Sequence, residues 1–140
     1  MGEVLARPLI QMVQRETWDV DIVVPVPLSV ARKTERGYNQ AALLARPIAL
    51  AFEWSYQPKA LQRTKETLSQ VGLSLPERYL NVSGAFIAES KIVADRNVLL
   101  VDDVTTSGAT LEECSRALRL AGSRRVVCVT LARVEKLNAI

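Results

Sequence analysis

The sequence predicts an α/β fold in which helices cover both faces of a parallel sheet. Three segments rich in valine and leucine are predicted to be buried strands, because each is a continuous apolar run: 21–27, 97–103 and 125–132. Helical patterns separate these runs, and such an alternation is typical of parallel sheets. The 140 residues fit a single domain, 1–140, whose core is large enough to need neither disulfides nor a structural metal.

The amino-terminal half is expected to hold two helices and two strands. Pro8 suits a first helical turn, and the helix that it starts should end near Thr17. After the first strand, the spacing of apolar residues predicts a helix over 39–52, which Pro47 should kink or interrupt. Residues 55–57 can form a short strand.

The carboxyl-terminal half begins with a polar stretch, 63–78, which lacks sustained periodicity and is therefore predicted to be a mobile loop. Residues 81–87 are predicted to be extended. Between the second and third buried strands we expect a helix from Gly108 to Ala121, and Gly122 is a natural end for it.

Composition excludes several kinds of chemistry. The chain has no histidine, so neither a Ser-His-Asp system nor a histidine-bound zinc is available. Cys114 and Cys128 lie in apolar patterns without a CxxC pair, which indicates buried thiols. The formal net charge of +3 does not by itself indicate nucleic-acid binding. No apolar run approaches the roughly 20 residues that cross a bilayer, so we expect a soluble cytoplasmic protein.

The segment from Val98 to Thr110 has the make-up of a phosphate-binding turn. A buried strand ends in Asp102 and Asp103, and hydroxyl residues around Gly108 then lead into a helix. A helix N-terminus offers N–H groups and a partial positive charge that suit a phosphate. The carboxylates can hold Mg²⁺ or accept hydrogen bonds from sugar hydroxyls. The alternative is that the hydroxyls only cap the helix and the aspartates only end the strand. Each feature alone favours this alternative, whereas their order and spacing together favour a phosphate site.

A second turn follows the first strand. Two prolines in the sequence Val23-Val-Pro-Val-Pro-Leu-Ser29 stiffen this turn and remove N–H groups from it, so the amides of Leu28 and Ser29 could face an anion. A stiff loop without function is the alternative for this segment alone. Because ligands of parallel sheets bind beyond the carboxyl ends of the strands, both turns are candidate parts of one site.

The segment Val98–Thr110 resembles the 5-phosphoribosyl-1-pyrophosphate (PRPP) signature of type I phosphoribosyltransferases. Thr105 departs from it slightly, since the family often has an aliphatic residue there. Two further patterns are similar to those of the ComF (competence protein F) family, whose members carry a phosphoribosyltransferase domain. They are Arg36-Gly-Tyr-Asn-Gln40 and Ser69-Gln70, Arg78, Asn81-Val82 and Gly84-Ala85-Phe86. The resemblance runs from about residue 23 to residue 132.

This resemblance implies a parallel, doubly wound sheet of the type I phosphoribosyltransferase kind, with a flexible loop over the site. Asp102 and Asp103 would be the catalytic residues that face the ribose hydroxyls and a Mg²⁺ ion. The other implied contacts fall into three groups, each of them read from the family pattern. They are a 5′-phosphate loop of Thr105, Thr106, Ser107, Gly108, Ala109 and Thr110, a pyrophosphate loop of Pro25, Val26, Pro27, Leu28 and Ser29, and basic contacts or flexible-loop residues Arg36, Arg63 and Arg78.

Two functions follow from the resemblance. The first is binding of PRPP with Mg²⁺ and transfer of phosphoribose to an unknown acceptor with release of pyrophosphate. The second is a ligand-binding or DNA-uptake accessory module without turnover, for which single-stranded DNA, competence proteins or a second copy in a homodimer are candidate partners. Family members often carry an N-terminal cysteine-rich segment that looks zinc-binding, and residues 1–140 contain none. For the three basic residues, simple solvation of loop charges is the alternative.

Overall fold

The computed structural model describes residues 2–28, 39–64, 72–105 and 108–133. Five helices and six strands lie within these ranges. In chain order they are α1 (Gly2–Arg15), β1 (Ile22–Pro25), α2 (Gln40–Phe52), β2 (Ser55–Tyr56), β3 (Leu61–Arg63), α3 (Leu75–Val82), β4 (Phe86–Ala88), α4 (Ser90–Val93), β5 (Asn97–Thr105), α5 (Ala109–Leu120) and β6 (Arg125–Arg133).

Four parallel strands form the main sheet in the order β2-β1-β5-β6, which confirms the predicted α/β fold. From β1 the chain passes through α2 to β2 on one side, and from β5 it passes through α5 to β6 on the other. The strand order therefore reverses between β1 and β5. In parallel sheets, a ligand crevice opens at such a switch point, beyond the carboxyl ends of the strands.

The two central strands supply two separate cores, because successive side chains of a strand point to opposite faces. Val23 and Leu99 pack with apolar residues of α1 and α2 on one face of the sheet. Val24 and Leu100 pack with apolar residues of α5 and of the β3–β4 pair on the other face. Burial on both faces explains why these strands have continuous apolar sequences.

A second, two-stranded antiparallel sheet pairs β3 with β4, and it was not predicted. Arg63 lies opposite Phe86 in this pair, and Leu61 lies opposite Ala88. Leu61 and Phe86 are buried in the α5-side core, whereas Ile87 is exposed. Strands of three residues are too short for a period-two pattern to stand out in the sequence.

The mobile loop predicted over 63–78 is wrong at both ends, although residues 65–71 lie outside the described ranges. Residue 63 belongs to β3, and residues 75–78 form the first turn of α3. A capping box starts this helix: Glu77 N donates to Ser74 Oγ (3.3 Å), and Ser74 N donates to Glu77 Oε1 (2.9 Å). The same helix also contradicts the extended structure predicted for residues 81 and 82.

The prediction for Pro8 is wrong, and Pro47 does not interrupt its helix. α1 begins at Gly2, so Pro8 lies inside the helix and not in its first turn. α2 runs through Pro47 without an interruption. Proline at this position deprives the Leu43 carbonyl of its helical donor. Because the Leu43 side chain is 41 % exposed, this stretch of the helix faces solvent, which can replace the lost bond.

The two cysteines differ in their surroundings. Cys114 on α5 is buried, as predicted, whereas Cys128 on β6 is exposed. β6 is an edge strand of the main sheet, and Cys128 lines an open groove of about 510 Å³ beside α5, with its Sγ 3.3 Å from Ser115 Oγ. An apolar sequence pattern does not reveal which strand lies at an edge.

A helix that crosses a membrane must be both long and apolar, and none of the helices in the described ranges meets these two conditions.

Candidate functional site

We call the place where the hydrogen-bonded ladder between β1 and β5 ends the crevice, because ligands of parallel sheets bind at such a switch point. The last paired residues are Pro25 and Val101, and Val26 N makes one further bond to Val101 O (2.9 Å). β5 continues alongside β6 as far as Thr105. The residues after β1 and the residues at the end of β5 therefore form two walls of one crevice.

Asp102 and Asp103 stand at the mouth of this crevice, directly after the last residue that pairs with β1. Both are half-buried, and Asp103 N donates to Asp102 Oδ1 (2.8 Å). Burial, followed by the side-chain hydrogen bond with Asp103, raises the pKa of Asp102 to about 7, and the positive charge of Arg63 partly opposes this rise. Part of the Asp102 population is therefore protonated at neutral pH.

Gly108 begins α5 in a conformation that favours glycine. It is the N-cap residue with φ +82°, and Glu112 N donates to its carbonyl (2.9 Å). Within the described residues, a Cβ at this position would meet nothing within 4 Å, so none of their atoms fills the space in front of the turn. Close approach of an anion to the backbone is possible there.

Thr110 is half-buried in the first turn of α5, where N–H groups are not used by the helix itself. The N-cap is Gly108, which has no capping side chain, so the cap alternative does not account for the Thr110 hydroxyl. Ala109 is buried beside it, and Thr105 pairs with Arg133 at the end of β5. The predicted contacts Thr106, Ser107, Ser29 and Arg36 lie outside the described residues.

The other wall of the crevice is the start of the β1–α2 loop. Val26 is buried there, and Pro27 and Leu28 are half-buried. Asn39, which the sequence analysis gave no role, closes the other end of the loop. Its Nδ2 donates to Val26 O (3.1 Å), while its Oδ1 accepts from the N–H groups of the first helical turn, at 2.9 and 3.3 Å. An Asn before an apolar helical pattern is a known capping signal, so the cap could have been predicted from the sequence. The hydrogen bond of Asn39 to Val26 O could not, because no local pattern indicates it.

Arg63 reaches the crevice from the second sheet. Its Nη2 donates to Pro27 O (3.4 Å), and its Cζ lies 4.7 Å from the centroid of the Phe86 ring. Its charge also opposes the rise in the pKa of Asp102. The structure therefore brings Arg63 to the predicted site, but on a paired strand and not on a mobile loop.

Arg78 does not join this group. It is 8 % exposed within α3, and its Nε donates to Leu73 O (3.0 Å). The prediction that Arg78 belongs to a flexible loop is wrong, because the capped helix buries its side chain beneath the preceding turn.

These features define a class of protein. A parallel sheet with a switch-point crevice, an acidic pair after the central strand and a glycine-led helix are the features of the type I phosphoribosyltransferase fold. The chain belongs to the phosphoribosyl transferase domain family, whose family model matches residues 2–138.

Solved structures share this fold. The allosteric regulatory enzyme of purine biosynthesis superposes with a TM-score of 0.62 at 21 % identity, covering 93 % of this chain and 25 % of that one. Adenine phosphoribosyltransferase from Thermoanaerobacter pseudethanolicus superposes with a TM-score of 0.57 at 14 % identity, covering 91 % and 67 %. At these identities the likeness shows the fold alone.

Sequence relatives are more similar. Competence protein F of Haemophilus influenzae is 40 % identical over 115 residues, which are 81 % of this chain and 50 % of that protein. DNA utilization protein YhgH of Escherichia coli K12 is 35 % identical over 113 residues, which are 81 % and 49 %. The resemblance to the competence protein F family is thereby confirmed. The chain spans about half the length of these curated relatives.

The raised pKa of Asp102 predicts a pH dependence of stability. The pKa is about 7 in the folded protein and 3.8 for an unperturbed aspartate, so the folded state holds this proton more tightly. The contribution of Asp102 to the free energy of unfolding should therefore fall as pH rises from about 4 to about 7, by up to about 1.4 kcal/mol per pH unit. Denaturant unfolding at a series of pH values measures this slope.

Asp102→Asn should remove most of that slope, whereas Asp95→Asn should keep it. Asp95 is exposed and has φ 60°, a conformation that asparagine tolerates, so the control makes the same chemical change without strain. An unchanged slope in Asp102→Asn would contradict the assignment.

Proposed function

We propose that the crevice binds PRPP together with Mg²⁺, and that the chain transfers the phosphoribosyl group to an acceptor with release of pyrophosphate. One observation carries this proposal: Asp102 and Asp103 lie at the switch point of the sheet together with the open, glycine-led N-terminus of α5. Membership of the phosphoribosyl transferase domain family supports it.

The donor set suits Mg²⁺. Asp102 and Asp103 offer hard oxygen ligands. Protein-bound Mg²⁺ is usually held by one or two carboxylates and completes its shell with water and ligand phosphates. When bound, Mg²⁺ would supply positive charge that stabilises the leaving pyrophosphate. Because the pKa of Asp102 is about 7, this carboxyl would release a proton on binding a cation.

The residues of the crevice can meet each part of the ligand. We assign the ribose hydroxyls to the acidic pair, the 5′-phosphate to Thr110 and the first turn of α5, and the pyrophosphate to the β1–α2 loop beside Arg63. The bond from the anomeric carbon to the pyrophosphate oxygen breaks, and a bond from that carbon to the acceptor forms. The oxocarbenium-like transition state requires a stabilised leaving group more than a strong base, so the lack of histidine is no obstacle.

A second candidate is a module that binds the same ligand without turnover and serves DNA uptake. The names of the relatives, competence protein F and DNA utilization protein, favour this role. Single-stranded DNA, competence proteins or a second copy of the chain would then be its partners in the cytoplasm. The two candidates differ in whether pyrophosphate is released.

Binding of PRPP should require Mg²⁺, because the ligand carries several negative charges that meet two carboxylates. Isothermal calorimetry should give at least tenfold weaker binding in excess chelator than in millimolar Mg²⁺. Asp103→Asn should weaken the Mg²⁺-dependent binding, and Asp95→Asn should not. Equal affinity with and without chelator would count against the proposal.

Thr110→Val should separate ligand binding from stability. The change keeps the shape, and threonine and valine have similar helix propensities, so the melting temperature of the free protein should hardly change. Loss of a charge-assisted hydrogen bond should weaken PRPP binding by about ten- to a hundredfold. A much lower melting temperature together with a full ligand-induced shift would show that the hydroxyl is structural.

Gly108→Val should abolish measurable PRPP binding, because the side chain would strain the turn at φ +82° and fill the space open to an anion. Gly84→Val is the matched control. Gly84 has φ +68° and also faces open space, but it lies between α3 and β4, outside the crevice. Calorimetry of both variants distinguishes backbone strain, which both variants share, from obstruction of the anion, which only Gly108→Val should cause. Equal losses of affinity would contradict the role of Gly108.

Turnover separates the two candidate functions. In a pyrophosphate-release assay against a panel of nucleobases and amines, we expect release with at least one acceptor and none from Asp103→Asn. Tight binding of PRPP without release from any acceptor would favour the module without turnover.

A further inference from the structure

We infer that Asn39 and Arg63 are positioning residues that together lock residues 26–28, the start of the β1–α2 loop, in one conformation. Asn39 holds the carbonyl of Val26, and Arg63 holds the carbonyl of Pro27. The effect of this lock on ligand affinity rests on the function proposed above, whereas its effect on the order of residues 26–28 does not.

Asn39 uses both ends of its side-chain amide. Its Oδ1 accepts from Ala41 N (2.9 Å) and Ala42 N (3.3 Å), and its Nδ2 donates to Val26 O (3.1 Å). One side chain thus caps α2 and joins the two ends of the segment that leaves the sheet at Val26. The cap uses an oxygen and the loop uses a nitrogen, so the two roles can be separated by substitution.

Arg63 is itself held in place. It lies in β3 opposite Phe86, the neighbouring Thr64 N donates to Ala85 O, and the guanidinium stacks 4.7 Å from the centroid of the Phe86 ring. A strand pair and an aromatic face therefore fix the donor that reaches Pro27 O. A lysine keeps the charge but has neither the planar group nor its spread of donors.

These two hydrogen bonds also restrict the orientation of the amide groups that follow each held carbonyl. No cis peptide bond occurs in the described ranges, so each carbonyl points opposite to the N–H of the next residue. Holding Pro27 O therefore fixes the direction of the Leu28 amide. Pro27 has no N–H and a fixed φ, so little freedom remains between Val26 and Leu28.

A loop that is already ordered loses less conformational entropy when a ligand binds. Residues 25–28, the described part of the predicted pyrophosphate loop, are thus held in place before a ligand binds. Asn39 and Arg63 hold them without needing to contact the ligand. Loss of either hydrogen bond should make Val26 and Leu28 more mobile and should weaken binding.

Two variants test this lock, with a matched control. Asn39→Asp keeps the helix cap, since aspartate is an equally good N-cap residue, but it replaces the donor to Val26 O with an acceptor. Arg63→Lys keeps the positive charge. Gln62→Glu makes the amide-to-acid change of the first variant on the exposed side of β3. ¹⁵N relaxation of Val26 and Leu28, melting temperature and calorimetric affinity for PRPP with Mg²⁺ are measured for all three.

In both lock variants we expect the order parameters of Val26 and Leu28 to fall from about 0.85 towards about 0.6 in the free protein. Affinity should fall about three- to tenfold, and Asn39→Asp should keep its melting temperature. The control should match the wild type in all three measurements. Unchanged order parameters in both variants would overturn the inference, even if either variant melts at a lower temperature. If Val26 and Leu28 become more mobile in the variants but the wild-type protein does not bind PRPP, the inference stands and the proposed function is overturned.

Discussion

The end of the β1–β5 ladder at Pro25 and Val101 is the constraint on which the site depends. Two parallel strands are held together up to that pair, and Val26 N adds one further hydrogen bond to Val101 O. Beyond this bond the described part of the chain leaves the sheet on the β1 side, while β5 continues along β6. Because the connections that follow β1 and β5 lead to opposite sides of the sheet, the acidic pair and the N-terminus of α5 meet between them.

The electrostatics of the crevice follow from this geometry. Burial is the main cause of the rise in the pKa of Asp102 to about 7, and the neighbouring carboxyl group of Asp103 adds to this rise. Arg63 relieves part of it from the second sheet, and the positive end of the α5 dipole contributes where an anion would lie. The crevice thus has an acidic side and a side with Arg63 and a helix N-terminus, and under the proposed function these two sides would meet the cation and the phosphates of one ligand.

Local signals predicted much of the fold and of the candidate site. The buried strands, the helices of the main sheet and the run from Asp102 to Thr110 are visible because their residues are neighbours in the chain. α3 also has a local signal, the capping box at Ser74 and Glu77, which polar composition around it obscured. The second sheet has none, since its three-residue strands are defined only by their pairing.

The sequence by itself determined the α/β class, the family and the place of the acidic pair and the glycine-led turn, because hydrophobic periodicity and a contiguous motif record them within a few residues. Only the tertiary structure decided which residues meet from distant parts of the chain. It placed Arg63 on Pro27 and buried Arg78 under α3, and it put Cys128 on an exposed edge strand. Val26 meets its partner Asn39 in the same way. Such contacts join residues that are far apart in the chain, and no local sequence pattern records them. Strand order and packing alone therefore fix these contacts.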